Sequence, residues 1–177
     1  MYRKLIASSL CVFAVSCSSV RTPERAVNVP DKLKPRANES LVYIVPAKGV
    51  QLYECRAKSG EAGGYGWTFV APVADLFDAS GNKIGRHYAG PHWESADGSK
   101  IAGVVKESAS APRADAIPWL LLITKPVGPQ GTFSNITSIQ RVNTVGGIAP
   151  KSGCSQYTVG NTARVPYMAD YYLLTEK

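Results

Sequence analysis

From Leu41 onward the apolar positions come in short runs, several of them alternating with polar ones. Residues 41–45 (LVYIV) are β-branched and aromatic, and Val50, Leu52 and Glu54 alternate with Gln51, Tyr53 and Cys55. That period of two marks a half-buried strand and puts Cys55 near a strand end. Residues 67–70 form another run, stopped by Ala71-Pro72. Residues 76–78 and 83–88 flank Ala79-Ser80-Gly81-Asn82, which predicts a hairpin. A second hairpin turns at Ala96-Asp97-Gly98-Ser99, between 92–94 and 100–105. Residues 117–123 are apolar on both faces, as a buried strand is. Residues 136–144 suit strand or helix, and their Ile, Thr and Val content tilts them toward strand. A loop follows at 146–150, and 165–174 reads as a terminal strand with Pro166 at its start. No stretch holds a 3.6-residue stripe beyond one or two turns. The expected fold is all-β and mostly antiparallel: one domain over 41–177, a sandwich or a barrel, with long loops and one disulfide.

The chain ahead of this domain has a different texture. Arg3 and Lys4 precede an uncharged stretch from Leu5 to Val15, the layout of a secretory signal peptide over residues 1–16. Eleven residues fall short of the roughly 20 that span a bilayer as a helix. Ala14-Val15-Ser16-Cys17 resembles a lipobox, with Ala14 where Leu is preferred. It predicts a lipid on Cys17, while ordinary cleavage after Ser16 is the alternative and would leave the protein secreted. Ser18, rather than Asp, points a lipoprotein to the outer membrane. Residues 17–40 hold three prolines and few apolar residues, the composition of a flexible tether.

Composition narrows the functional classes. Loss of residues 1–16 leaves 18 basic against 13 acidic residues, a mild +5 with no basic block. Such a spread argues for solubility, or for attraction to an anionic envelope surface, and against nucleic acid, while the lipid on Cys17 makes the membrane the expected partner. Once Cys11 leaves with the signal peptide and Cys17 is acylated, Cys55 and Cys154 remain. In an oxidising compartment a disulfide is the default, and two unrelated buried thiols are the alternative.

Chemistry concentrates in two stretches. Residues 85–99 hold the only two histidines, His87 and His92, with Glu94 close behind. Two imidazoles and a carboxylate suffice for Zn²⁺ or Fe²⁺, so a metal-dependent enzyme using His87, His92 and Glu94 is one functional class. The spacing matches no metal motif, and His87 and His92 share a face only if Gly90-Pro91 turns the chain. The plainer expectation is that His87 and Glu94 bond loop backbone while Trp93 packs in the core. The second stretch is Gln140-Arg141-Val142-Asn143-Thr144, in which Arg141 suits a carboxylate, a sugar or an internal partner such as Asp170 or Glu94. Together the stretches nominate His87, Glu94, Arg141 and Asn143 as the lining of one ligand cleft. No nucleophile elbow, dinucleotide fingerprint or phosphate loop occurs, and nothing asks for a cofactor.

Residues 45–55 (VPAKGVQLYEC), the His87–Ser99 segment, Ile117-Pro118-Trp119, residues 139–144 (IQRVNT) and residues 166–172 (PYMADYY) together resemble a family of secreted bacterial and fungal proteins, the domain-of-unknown-function family 3455. The likeness runs from Leu41 to the C-terminus. It implies an exported β-domain with paired cysteines and brings no activity with it. His92 departs from the family pattern, which carries Thr there, so a His87–His92 pair is not what the family is built around. The expectation is therefore an envelope protein that binds a polysaccharide, a small molecule or another envelope component rather than transforming it.

Overall fold

A computed structural model of the chain describes residues 27–60 and 64–177. The signal peptide, Cys17 and the first part of the expected tether lie outside the described residues. Within them the all-β expectation holds. The strands are β1 (Glu39–Ala57), β2 (Tyr65–Phe77), β3 (Lys83–Tyr88), β4 (His92–Ser95), β5 (Lys100–Ala109), β6 (Trp119–Pro126), β7 (Ser138–Gly146) and β8 (Thr162–Glu176). Each pairs antiparallel with the next, and β8 closes on β1, so the sheet is a closed barrel. No helix among the described residues is long and apolar enough to cross a membrane.

Several runs that look separate in the sequence fuse into long strands. β1 takes in both 41–45 and 50–55 across Pro46, and β2 passes through Pro72. Proline lacks the N–H that a ladder needs, so it survives only where one edge is unpaired. Pro46 lies one residue before the β1–β2 ladder begins at Ala47. Pro72 lies beyond the β2–β3 ladder, which ends at Ala74, and Pro166 lies beyond the β7–β8 ladder, which ends at Tyr167. Each proline therefore costs no ladder bond.

The period-two pattern sends alternate residues into the lumen. Val45, Ala47, Gln51 and Tyr53 of β1 point inward, as do Tyr167, Ala169, Tyr171 and Leu173 of β8. Bulky and small residues face each other so that eight strands can fill the space. The Trp93 ring lies over Gly103, where any added Cβ would meet it at 2.8 Å.

The up-and-down order puts the connections 78–82, 96–99 and 127–137 at one end, and 89–91, 110–118 and 147–161 at the other. The first end is closed. Phe133 and Ile136 are buried there in one cluster with Leu76, Ile101, Ile139 and Leu173. Asp97 ties down the long connection: its carboxylate accepts bonds from the Ser99 and Thr132 backbone N–H groups and both hydroxyls, at 2.6–2.9 Å. At the other end the Cys55–Cys154 disulfide pins the 147–161 connection to β1.

The expected tether is corrected at its C-terminal end. Leu33 is fully buried on the outside of the barrel with Trp119, Leu121, Val142 and Tyr172, and Val27 and Val29 pack alongside. Gln140 Nε2 donates to the Leu33 carbonyl at 2.7 Å. The outward faces of β6, β7 and β8 are apolar here, and this segment takes that surface out of water. Residues 27–40 thus belong to the packed domain.

Candidate functional site

The second end is covered only in part: Ile117 is buried there, the Tyr53 hydroxyl donates to the Gly147 carbonyl at 2.7 Å, and among the described residues a cavity of about 170 Å³ lies open beside them. The lining divides into two arcs. On adjacent strands β7, β8 and β1 stand Arg141, Tyr171 and Gln51; across the lumen Pro72, Trp93, Val105, Leu120 and Leu122 form an apolar wall. Phe69 and Val105, at 50% and 51% exposure, make an apolar lip at the mouth. His87, on β3, stands within the apolar arc and reaches the polar one through its ring contact with Tyr171 at 5.1 Å.

The polar groups at this end are incompletely used. Gln51 is 2% exposed, its carboxamide bonds no described residue, and its Nε2 is buried without a partner. Trp93, 1% exposed, likewise leaves its indole Nε1 without a partner. Arg141 spends Nε and Nη2 on a single acceptor, the Pro118 carbonyl, at 3.1 and 2.8 Å. No carboxylate pairs with it among the described residues, and its remaining partner there is the Tyr171 hydroxyl. Beside it the Tyr171 and Tyr167 hydroxyls lie 3.4 Å apart, both held protonated because burial pushes their ionisation up. Buried donors left without partners normally cost stability, so groups of this kind ask for an explanation.

His87 is 3% exposed and stacks on Trp93 at 4.1 Å between ring centroids. Its Nδ1 sits 2.8 Å from the His92 carbonyl oxygen, so Nδ1 carries the proton and Nε2 keeps a lone pair. Burial lowers its pKa to about 3, with the positive charge of Arg141 adding to the effect against the opposing backbone bond. The ring is neutral at physiological pH. It is an acceptor, and a weak base.

The nominated residues divide between the two faces of the sheet. His87 and Arg141 meet at the cavity, although β3 and β7 are not sheet neighbours and face each other across the lumen. Glu94 does not join them. It lies on the outer face, accepting Arg86 Nη2 at 2.8 Å and the Tyr88 hydroxyl. Asn143 is also outside, its Nδ2 donating to Asp170 at 2.8 Å. The register of β7 slips between Val142 and Val145, and Asn143 takes a positive φ of 51°, so the parity that would point it inward is broken.

The proposed metal set does not converge. In the β3–β4 ladder His87 pairs with Trp93 and Tyr88 with His92, so the hairpin puts His87 inside the barrel and His92 and Glu94 outside. His92 turns its Nδ1 to the Ala89 carbonyl at 2.6 Å. Among the described residues no three His, Cys, Asp or Glu side chains gather as metal ligands.

Gln51 and Tyr171 are the cavity residues that residue-type arguments miss. A signal for Gln51 exists: it shares strand parity with Tyr53 and with Cys55, and a cysteine buried in a disulfide fixes that parity as inward.

Residues 35–175 match the family described as "Protein of unknown function (DUF3455)", and the chain belongs to that family. No curated protein and no solved structure matches it.

Proposed function

We propose that this DUF3455 protein is an exported envelope protein, anchored through a lipid on Cys17, whose barrel binds a small molecule in its open end and leaves it chemically unchanged. One observation carries the binding role: the end of the barrel that holds the cavity also holds buried donors, on Gln51 and Trp93, that no described residue satisfies. An apolar-walled concavity with a few convergent polar groups is the usual make-up of a ligand site. Eight-stranded barrels have room for one small ligand. Of the ligand classes expected from the sequence, a cavity of only about 170 Å³ favours a small molecule over a polysaccharide. Binding is favoured over catalysis because His87 is a weak base and no carboxylate lines the cavity. The disulfide is in keeping with export to an oxidising compartment.

The binding role is tested by calorimetric titration of small neutral amphiphiles such as benzyl alcohol. Wild-type protein takes up one equivalent, and Val105→Trp, which fills the mouth from an exposed wall position, abolishes uptake without lowering the melting temperature. Absence of uptake by the wild-type protein contradicts the proposal. The anchor is tested separately: Cys17→Ser releases the protein from membranes or blocks its processing, and mature protein with no lipid mass on its N-terminus contradicts that part.

A further inference from the structure

We infer that the open end selects a small monocarboxylate, with an apolar body about the size of a single ring, and that Arg141 holds its carboxylate. This rests on the binding role proposed above and goes further, because it specifies the charge and size of the ligand. Four observations lead to it.

The first is charge. Arg141 is the one cationic side chain among the cavity's lining residues, and none of those residues is acidic. Its guanidinium bonds the Pro118 carbonyl and the Tyr171 hydroxyl, both neutral, and no carboxylate among the described residues balances its charge. A cation without a counter-ion in an apolar surround is matched by a planar anion, and the guanidinium geometry fits a carboxylate. One cation facing a neutral His87 balances one negative charge, not the two of a phosphate monoester.

The second is the position of the neighbouring polar groups. Gln51, Tyr171 and Arg141 stand on three adjacent strands, so their polar atoms fall on one side of the lumen. The unpartnered Gln51 amide, lining the same cavity two strands from Arg141, is available as a second donor to the carboxylate. The third is the opposite arc. Trp93, Val105, Leu120 and Leu122 offer no acceptor or donor along the wall except the Trp93 Nε1. That wall suits the body of the ligand, and the exposed lip at Phe69 continues it toward solvent.

The fourth is size. Cavities of roughly 150 Å³ lined by apolar side chains accept benzene. The 170 Å³ here leaves room for a ring and a carboxylate, and not for a long acyl chain held wholly inside.

The experiment is a calorimetric comparison on the full chain with its disulfide intact. The probes are two matched pairs: benzoate with benzyl alcohol, and cyclohexanecarboxylate with cyclohexylmethanol, all at pH 7. Hydrogen bonds to a charged group predict that each carboxylate binds about 10- to 100-fold more tightly than its alcohol. Arg141→Gln removes that preference, so that acid and alcohol bind equally. Gln51→Leu lowers carboxylate affinity less than Arg141→Gln does, and serves as the second variant should the Arg141 change fail to fold. Equal binding of acid and alcohol, or a preference that survives Arg141→Gln, overturns the inference while the binding role stands. No binding by any of the four probes overturns both.

Discussion

The two ends of the barrel are built from the same strands and treat their polar groups in opposite ways. At the closed end every donor around Asp97 has its acceptor: Ser99 and Thr132 give four bonds to one carboxylate, and Ser99 Oγ in turn accepts from the Phe133 N–H at 3.0 Å. That network holds Phe133 in the lumen as a plug. At the open end Gln51 and Trp93 keep buried donors without partners, and Arg141 has no counter-ion among the described residues. At the closed end Ser138 Oγ is the exception, a buried hydroxyl without a partner; the donors at the open end are the ones that line a cavity. Under the proposed binding role, the open end gives up stability in order to present donors to a ligand.

Truncation separates the ends most sharply. Phe133→Ala empties the plug and lowers stability by about 3–5 kcal/mol, the usual cost of deleting a buried aromatic. Val105→Ala, at the half-exposed lip, changes it by about 0.5 kcal/mol or less. Chemical denaturation of both variants checks this, and equal losses would mean that the lip is as much core as the plug. The covalent pin comes next. Replacing Cys55 and Cys154 with Ala frees the 147–161 connection and costs about 2–5 kcal/mol. Hydrogen exchange in that variant rises first in the open-end connections and leaves the amides around Phe133 protected. A uniform rise would erase the distinction between the ends.

Acid distinguishes the ends by pH window. His87 at the open end has a pKa lowered to about 3, so the unfolded chain takes up a proton below pH 6.5 that the folded chain refuses. Stability is fully present above that value and falls as the pH drops from 6.5 toward 3, by about 2 kcal/mol at pH 5. Glu39, at the closed end, is held down at about 2: burial opposes its charge, but bonds from Arg36 and from the Thr137 hydroxyl outweigh burial. Its contribution is present above about 4.5 and is lost as the pH falls through 2. His87→Leu therefore flattens the stability profile between pH 6.5 and 5, and Glu39→Gln leaves that window unchanged. Unfolding curves from pH 7 to pH 3 decide the matter.

Local chemistry carries much of this architecture openly. Asp78–Asn82 and Ala96–Ser99 announce their hairpins because turn residues act through nearest neighbours. His87 and Arg141 stand out because polar groups in a run of core residues are conspicuous by type. What stays hidden depends on long-range pairing. Barrel and sandwich share one alternation, and only the β8–β1 ladder, which joins the two ends of the domain, separates them. Asn143 and Glu94 are lost as site residues for a related reason: a register slip at Val142–Val145 and the pairing of His87 with Trp93 decide which face each residue takes. Leu33 is hidden because its polar neighbours resemble a tether, while its packing partners lie more than eighty residues away.

The smallest expected effect is also the most direct test. If the Gln51 amide is kept for a ligand rather than for the fold, then replacing it with an apolar side chain of similar size removes an unmet buried donor. Gln51→Leu then stabilises the ligand-free barrel by about 1 kcal/mol, a rise of about 2–4 °C in melting temperature, while weakening benzoate binding. A melting temperature below that of the wild type would show that Gln51 supports the barrel itself, and would contradict the account of an open end left unfinished for a ligand.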